Sequence, residues 1–181
     1  ERTPVPPIAL QRELEKSLRE NTVFCVDAGN PGAWTHYTTF PKGTAYMKPV
    51  NYGNMGFALG AALGCKEASP DREVVALIGD GSLGMTLGEL ESIAREKLAV
   101  TVLLVNDSAF GNIKQEELCK MGEGRYIGVE FPDYDYLSVA KAFGFDGCIV
   151  TKASQIPAAM EAALRRYNGK PLVNSANGKE E

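Results

Sequence analysis

The chain has 181 residues, which is the length of one domain rather than two and is enough to bury a substantial core. Its 19 Lys and Arg residues against 23 Asp and Glu residues give a net charge of −4, so it has no basic excess to bind a phosphate backbone or an anionic membrane. No apolar stretch approaches the roughly 18 residues of a transmembrane helix. These properties predict a soluble globular domain with no nucleic-acid partner and no membrane partner.

Four cysteines, at positions 25, 65, 119 and 148, form no CxxC pair and have no neighbouring histidine. They therefore predict neither a zinc site nor a thioredoxin-type motif, and unpaired thiols favour a cytoplasmic location. The Pro-rich residues 1–7 are interpreted as a linker between domains, and residues 174–181 as a polar, frayed tail. The predicted domain therefore runs from residue 8 to residue 173.

Short apolar runs rich in β-branched residues alternate with helical patterns along the chain. Runs that are continuously apolar indicate strands buried on both faces, which is typical of parallel sheets. The sequence therefore predicts an α/β domain with an open, mainly parallel sheet and helices on both faces. Five strands are predicted, at residues 22–26, 73–78, 100–105, 147–150 and 171–173.

Helices are predicted between the strands where apolar residues recur about every 3.6 residues. The segment after residue 55 is unusually rich in Gly and Ala, which indicates a helix that lies very close to its neighbours. Four helices are predicted, around residues 10–18, over residues 55–68, around residues 83–94, and from an N-cap at Ser154 through Tyr167 to a stop at Gly169.

One predicted strand ends in Gly79-Asp80-Gly81 and continues through Ser82 into an amphipathic helix. In an open parallel sheet, ligands bind at the carboxyl ends of strands. The free N–H groups and the positive dipole at a helix N-terminus favour an anion such as phosphate. Taken alone, a GDG triplet is more often a tight strand-to-helix turn than a binding site.

The next strand ends in Asn106 and Asp107, again at a carboxyl end. If the two strands are neighbours, about 4.8 Å apart, oxygen atoms of Asp80, Asn106 and Asp107 can converge on one point. Hard oxygen ligands suit Mg²⁺, whose coordination would be completed by water and by phosphate oxygens. The pair of turns therefore predicts a site for a metal-bridged diphosphate.

Three motifs in the same order resemble those of a known family. Asp80 precedes Asn106 by 26 residues, and this spacing resembles the GDG…N signature of thiamine diphosphate enzymes. Residues 51–56 resemble the G-x-M-G stretch of the acetolactate synthase group, and residues 27–30 resemble its D-x-G-Q/N turn. From about residue 8 to residue 173, the chain resembles the C-terminal, diphosphate-binding domain of acetolactate synthase-like enzymes.

The resemblance implies a role for each matching residue. Asp80 and Asp107 would ligate Mg²⁺ through their side chains and Ala109 through its backbone carbonyl. The Gly53 carbonyl would accept a hydrogen bond from the cofactor's 4′-amino group, and Met55 would support the bent V conformation of thiamine diphosphate. The implied cofactor-binding residues are Asn30, Gly53, Met55, Gly79, Asp80, Gly81, Ser82, Asn106, Asp107 and Gly111.

The resemblance also implies an enzyme, a lyase or transferase that decarboxylates a 2-oxo acid and then protonates the product or transfers it to an acceptor. Its activity would need a pyrimidine-binding domain on the same or another chain, and a homo-oligomer is expected. One alternative is a separately encoded β subunit of a sulfopyruvate- or phosphonopyruvate-type decarboxylase. A more remote one is a receiver-like, non-enzymatic module that uses Asp80 as a phosphoacceptor.

Two positions depart from the family pattern. Most members carry Asn where this chain has Asp107, so the site holds one more negative charge, which favours Mg²⁺ and disfavours diphosphate. Glu116 stands where acetohydroxyacid synthases carry a Trp that shapes the pocket for the second substrate, which weighs against that activity. The alternative interpretation of Glu116 is a solvated position on a helix.

Overall fold

The computed structural model describes residues 5–166 and 171–176 and contains a single sheet of six parallel strands. The spatial order is β2-β1-β3-β4-β6-β5, so β1, β3 and β4 lie side by side near its centre. The strands are β1 (Val23–Val26), β2 (Ala45–Met47), β3 (Val74–Gly79), β4 (Val100–Asn106), β5 (Asp146–Val150) and β6 (Pro171–Ala176). The predicted fold class, an open parallel sheet with helices on both faces, is confirmed.

Helices cover both faces of the sheet. On the first face, α3, α4, α5 and α7 pack against alternate strand residues such as Val23 and Cys25. On the second face, α1 and α8 pack against the intervening residues, including Phe24 and Val26. The helices are α1 (Pro7–Ser17), α2 (Asn30–Trp34), α3 (Phe57–Ala68), α4 (Asp80–Met85), α5 (Gly88–Arg95), α6 (Gly111–Met121), α7 (Tyr136–Ala142) and α8 (Ile156–Glu161).

The sheet differs from the sequence prediction in one edge strand, β2, and in the length of the last strand, β6. All five predicted strands are present, but β2 was not predicted, because three half-exposed residues give no recognisable apolar run. The last strand continues through Asn174 to Ala176, where it pairs with the end of β4. The prediction of a frayed tail is therefore wrong for residues 174–176. Their sequence lacks an apolar run, but they belong to a strand that lies between β4 and β5.

The helix predictions need three corrections. α3 begins at Phe57 rather than at residue 55, because Gly56 adopts a left-handed conformation with φ of 83°. The single helix predicted around residues 83–94 is divided into α4 and α5 by a break at Thr86. Ser154 lies in a 3-10 turn before α8 and does not cap it, while Tyr167 and Gly169 lie outside the described residues.

A buried carboxylate, Asp27, joins three segments at the carboxyl end of β1. One carboxylate oxygen accepts hydrogen bonds from Gly56 N (3.0 Å) and Ser82 Oγ (2.6 Å), and the other accepts one from Ala58 N (2.8 Å). Asp27 thereby caps the N-terminus of α3 from a distant part of the chain and holds α4 beside it. Its side chain is fully buried, so water cannot replace these bonds.

We expect the Asp27→Ala variant to be strongly destabilised, because it leaves several buried donors without an acceptor. The loss in the free energy of unfolding should be at least about 3 kcal/mol. Urea denaturation followed by circular dichroism measures it. The exposed Asp71 provides the matched control, and Asp71→Ala should change stability by no more than about 0.5 kcal/mol. Equal losses in both variants would contradict a capping role for Asp27.

Candidate functional site

The carboxyl ends of β1, β3 and β4 open into one cavity of about 180 Å³. Because the three strands are parallel neighbours, the turns that follow them meet at the same edge of the sheet. The segment before α3 forms the remaining wall. Every predicted site residue except Asn106 lines the cavity. These residues are Asn30, Gly53, Met55, Gly79, Asp80, Gly81, Ser82, Asp107, Ala109 and Gly111.

The turn after β3 places a buried carboxylate at the base of the cavity. Asp80 is only 2% exposed, and its Oδ1 accepts a hydrogen bond from Gly81 N at 3.0 Å. Its Oδ2 is buried and has no hydrogen-bond partner among the described residues. A buried polar atom without a partner is costly, so this oxygen marks a position where a ligand can bind.

Two glycines allow the close approach on which this geometry depends. A Cβ on Gly81 would lie 2.8 Å from two ring carbons of Phe110 and 3.1 Å from Met55 Cε. A Cβ on Gly111 would lie 2.1 Å from Asp107 Oδ2. Any side chain at these positions would displace the groups that line the cavity.

The turn after β4 is shaped by Asn106, whose side chain does not reach the cavity. Asn106 Oδ1 accepts a hydrogen bond from Ser108 N at 3.1 Å, which stabilises a turn in which Ser108 has a φ of 53°. This turn directs Asp107 and Ala109 to the cavity wall. The structure therefore gives Asn106 a supporting position behind the turn rather than a place in the lining.

The two carboxylates perturb each other's ionisation. Burial, followed by repulsion from the Asp107 carboxylate, raises the pKa of Asp80 to about 7. Burial also raises the pKa of Asp107, although its hydrogen bond with Asp80 and, to a smaller extent, backbone hydrogen bonds and the charge of Lys114 oppose that effect. Two partly desolvated acids that face each other attract either a shared proton or a cation.

Ser82 and Asn30 also line the cavity. The Ser82 hydroxyl donates to Asp27, so only its backbone N–H, in the first turn of α4, remains for a ligand. Asn30 begins α2, and its side-chain nitrogen lies 3.2 Å from the position of a Cβ on Gly111. Both residues lie close to the two turns that carry Asp80 and Asp107.

Sequence reasoning missed several residues of the site. Asp27 was part of a recognised motif but had no predicted role, since its partners are distant in sequence. Trp34, Phe110 and Ile113 line the cavity. Their signal was proximity, because Trp34 lies one helical turn after Asn30 and Phe110 immediately precedes Gly111.

Two other residues with ionisable side chains, Glu116 and His36, lie outside the cavity lining. Glu116 has a side chain that is 54% exposed and forms an ion pair with Lys120 on the same helix, as the solvated-face interpretation predicts. His36 is exposed and contacts Lys48 Nζ through Nε2 at 2.7 Å. Among the described residues, no group of three or more His, Cys, Asp or Glu residues could hold a metal. A metal in this cavity would therefore need backbone or ligand oxygens beside the two aspartates.

Comparison with known proteins identifies the domain. The family model for the C-terminal TPP binding domain of thiamine pyrophosphate enzymes matches residues 27–174. The chain belongs to this family. A thiamine diphosphate-dependent 4-hydroxybenzoylformate decarboxylase from Rhodococcus jostii RHA1 has the same fold, with a TM-score of 0.85 and 25% identity over 99% of this chain and 34% of that one.

Curated members of the thiamine pyrophosphate family have several activities. The sulfoacetaldehyde acetyltransferase of Alcaligenes xylosoxydans xylosoxydans is 29% identical over 91% of this chain and 28% of that enzyme. The human 2-hydroxyacyl-CoA lyase 2 is 28% identical over 92% and 27%. The acetolactate synthase large subunit of Corynebacterium glutamicum is 30% identical over 88% and 26%. The chain thus spans between a quarter and a third of the length of these relatives.

The family match bears on one other prediction. It replaces the receiver-like alternative, because the matched residues include both the GDG turn and the turn after β4. None of the helices that the structure describes combines the length and the apolar character needed to span a lipid bilayer.

We expect the metal-free chain to gain stability on protonation of Asp80. A carboxyl whose pKa is raised from 3.8 to about 7 binds its proton more tightly in the folded state. Its contribution to the free energy of unfolding is therefore full below about pH 4 and is lost as the pH rises to about 7. Each unit by which the pKa is raised corresponds to about 1.4 kcal/mol.

The measurement is urea denaturation in EDTA at pH 5 and pH 8, compared with Asp80→Asn, which cannot ionise. The variant should gain stability relative to the original chain as the pH rises. Asp71→Asn serves as the exposed control and should show no such relative gain. Parallel pH profiles for the original chain and Asp80→Asn would contradict the expectation.

Proposed function

We propose that this domain binds the diphosphate of thiamine diphosphate through Mg²⁺, as part of an acetolactate synthase-like enzyme that acts on 2-oxo acids. The observation that carries the proposal is the pair formed by the buried Asp80 and the half-buried Asp107 in one cavity, where Asp80 Oδ2 has no partner among the described residues. A pair of close acids without a cation is unstable when both are ionised. A divalent cation removes that cost and attracts the diphosphate.

The donor set fits Mg²⁺ rather than a softer metal. Asp80 and Asp107 supply carboxylate oxygens, and Ala109 is placed to supply a backbone carbonyl. Mg²⁺ binds through few protein carboxylates and completes its coordination with water and phosphate oxygens. A site with two acids and no third ionisable ligand is what such a metal needs.

The diphosphate would be held by backbone and amide N–H groups. Gly81 and Ser82 lie in the first turn of α4, and Gly111 begins α6, where backbone N–H groups lack intrahelical partners. Asn30 would contribute its side-chain amide. Gly79 and Asn106 support these turns, Gly79 as the last residue of β3 and Asn106 through its bond to Ser108.

The other end of the cofactor would face Gly53 and Met55. Thiamine diphosphate supplies an electron sink for breaking the bond beside the carbonyl of a 2-oxo acid. The Gly53 carbonyl would accept a hydrogen bond from the 4′-amino group, and Gly53 itself is held by a 2.8 Å bond from its N–H to Pro49 O. Met55 is about one-third exposed and lines the cavity, where its side chain would support the bent conformation of the rings.

The rim of the cavity indicates that another domain completes the site. On one side, Met47, Val50 and Tyr52 are exposed, and Tyr52 is 94% exposed. On the other side, Ile113 and Leu118 are exposed on α6, a helix with no buried residue. Large apolar side chains around a cavity are typical of an interface, so we propose that a pyrimidine-binding domain covers them within a homo-oligomer.

The relatives support a proposal for the class of reaction but not for a particular substrate. Decarboxylation followed by protonation or by carboligation, in a lyase or a transferase, is the activity we propose, in a cytoplasmic enzyme. A separately encoded β subunit of a sulfopyruvate- or phosphonopyruvate-type decarboxylase is the second candidate. Glu116 lies outside the cavity lining, so it does not discriminate between them.

We expect Mg²⁺ and thiamine diphosphate to bind interdependently, because the metal would join two anionic partners that repel each other. Calorimetry should show no cofactor binding in excess EDTA and none to Asp80→Ala with Mg²⁺ present. At a hundredfold excess over the dissociation constant, the original chain should be stabilised by about 2.7 kcal/mol. Glu116→Gln, on the exposed face of α6, is the control and should bind normally. Unchanged affinity in Asp80→Ala or in EDTA would contradict the metal assignment.

Met55→Ala should impair the reaction of the assembled enzyme more than it impairs cofactor binding. The diphosphate anchors lie elsewhere, so we expect the dissociation constant to rise by less than about tenfold while kcat falls further. Met85→Ala, at an exposed methionine that does not line the cavity, is the matched control. Equal losses in affinity and in kcat would show that Met55 only fills space.

A further inference from the structure

Residues 126–131 lie outside the predicted motifs in sequence, but they are hydrogen-bonded to the turn that follows β4. Phe110 N donates to Val129 O at 2.8 Å, and Phe131 N donates to Ser108 O at 2.7 Å. Ala109 and Glu130 form an isolated antiparallel bridge between these two bonds. The 126–131 segment therefore holds the backbone of the turn from which Asp107 and Gly111 line the cavity.

An aromatic contact continues this connection to the other turn of the site. The Phe131 ring packs edge-on against the Phe110 ring, with centroids 4.5 Å apart and an interplanar angle of 85°. Phe110 in turn lies against Gly81, where a Cβ would be 2.8 Å from the ring. The Phe110 ring of one turn thus lies against Gly81 of the other, and Phe131 packs against that ring.

The first two turns of α6 fix the 126–131 segment from outside. Lys114 Nζ forms an ion pair with Glu130 at 2.8 Å and lies 4.7 Å from the centroid of the Tyr126 ring. Ile127 N donates to a carboxylate oxygen of Glu117 at 3.1 Å. Because these contacts are largely exposed, each is weak alone, and together they hold the segment beside the turn.

We propose that Phe131 is a positioning residue, which sets the separation of the two phosphate-binding turns by holding the Phe110 ring against Gly81. The inference rests on the proposed function, since it concerns the affinity of the same site for a metal-bound diphosphate. Phe131 is not among the residues that line the cavity, whereas Phe110 is. Its effect on binding is therefore transmitted through Phe110.

The test uses the full chain and two probes, Mg²⁺ with inorganic pyrophosphate and Mg²⁺ with thiamine diphosphate. Pyrophosphate reports on the two turns alone, without the ring-binding side of the cavity. In Phe131→Leu, the edge-on aromatic contact is lost while the position stays apolar. We expect both dissociation constants to rise by the same factor, between about twofold and about tenfold. Phe131→Tyr keeps the ring and should restore affinity to within about twofold of the original chain.

A control separates positioning from general destabilisation. Phe143 is a half-buried ring at the end of α7, away from the cavity, so Phe143→Leu should lower the melting temperature without changing either dissociation constant. An unchanged pyrophosphate affinity in Phe131→Leu would overturn the proposal, as would an equal loss in Phe143→Leu. Failure of the original chain to bind either probe would instead contradict the proposed function.

Hydrogen exchange on the original chain supplies a measurement that needs no variant. If the 126–131 segment positions the turn, binding of Mg²⁺ with pyrophosphate should slow exchange at the Phe110 and Phe131 amides together. Slower exchange at Gly81 with no change at Phe110 and Phe131 would overturn the proposal, because the segment would then be independent of the site.

Discussion

The carboxylate of Asp27 is the interaction on which the geometry of the site depends. It lies at the end of β1, accepts bonds from the first residues of α3, and receives the Ser82 hydroxyl from α4. The segment before α3 carries Gly53 and Met55, while α4 carries the turn with Asp80. One buried acid thus fixes the side of the cavity proposed for the cofactor rings relative to the side proposed for the diphosphate. Because Asp27 is fully satisfied by protein donors, it is unavailable to a ligand.

Asp80 differs from Asp27 in that the described residues leave one of its carboxylate oxygens without a partner. Asp27 accepts several N–H and O–H donors, whereas the buried Asp80 Oδ2 has no partner in the part of the chain that the structure describes. The fold therefore contains two kinds of buried carboxylate: Asp27, which stabilises it, and Asp80, whose ionisation makes it less stable. We propose that Asp107 adds to this effect, because a second carboxylate beside Asp80 strengthens the attraction for a divalent cation.

We propose that the described chain contains one side of a larger active site. The described residues form a sheet with helices on both faces, so the domain has its own hydrophobic core. Several exposed apolar side chains lie in the segment before α3 and on α6, and two of them, Met55 and Ile113, line the cavity. This distribution separates the requirements of folding, met inside the domain, from those of catalysis, which we propose are met by a second domain.

Local sequence determined the central strands, most helices and the two turns that bear acids. A strand buried in a parallel sheet has a continuous apolar run in its sequence. The turn that follows the strand is adjacent in sequence, so the positions of Asp80 and Asp107 could be predicted from β3 and β4. Their convergence followed from the rule that parallel strands end at the same edge of a sheet. The motif resemblance added the cofactor and the role of Met55.

Tertiary structure decided what depends on contacts between distant residues. The edge strand β2 and the polar end of β6 are strands because neighbours pair with them, which no local apolar pattern records. The role of Asp27 depends on donors 29 and 31 residues away, and that of Phe131 on a ring in another turn. Only the folded chain showed Asn106 behind the turn and Glu116 outside the cavity, since side-chain direction depends on backbone conformation that sequence spacing does not specify.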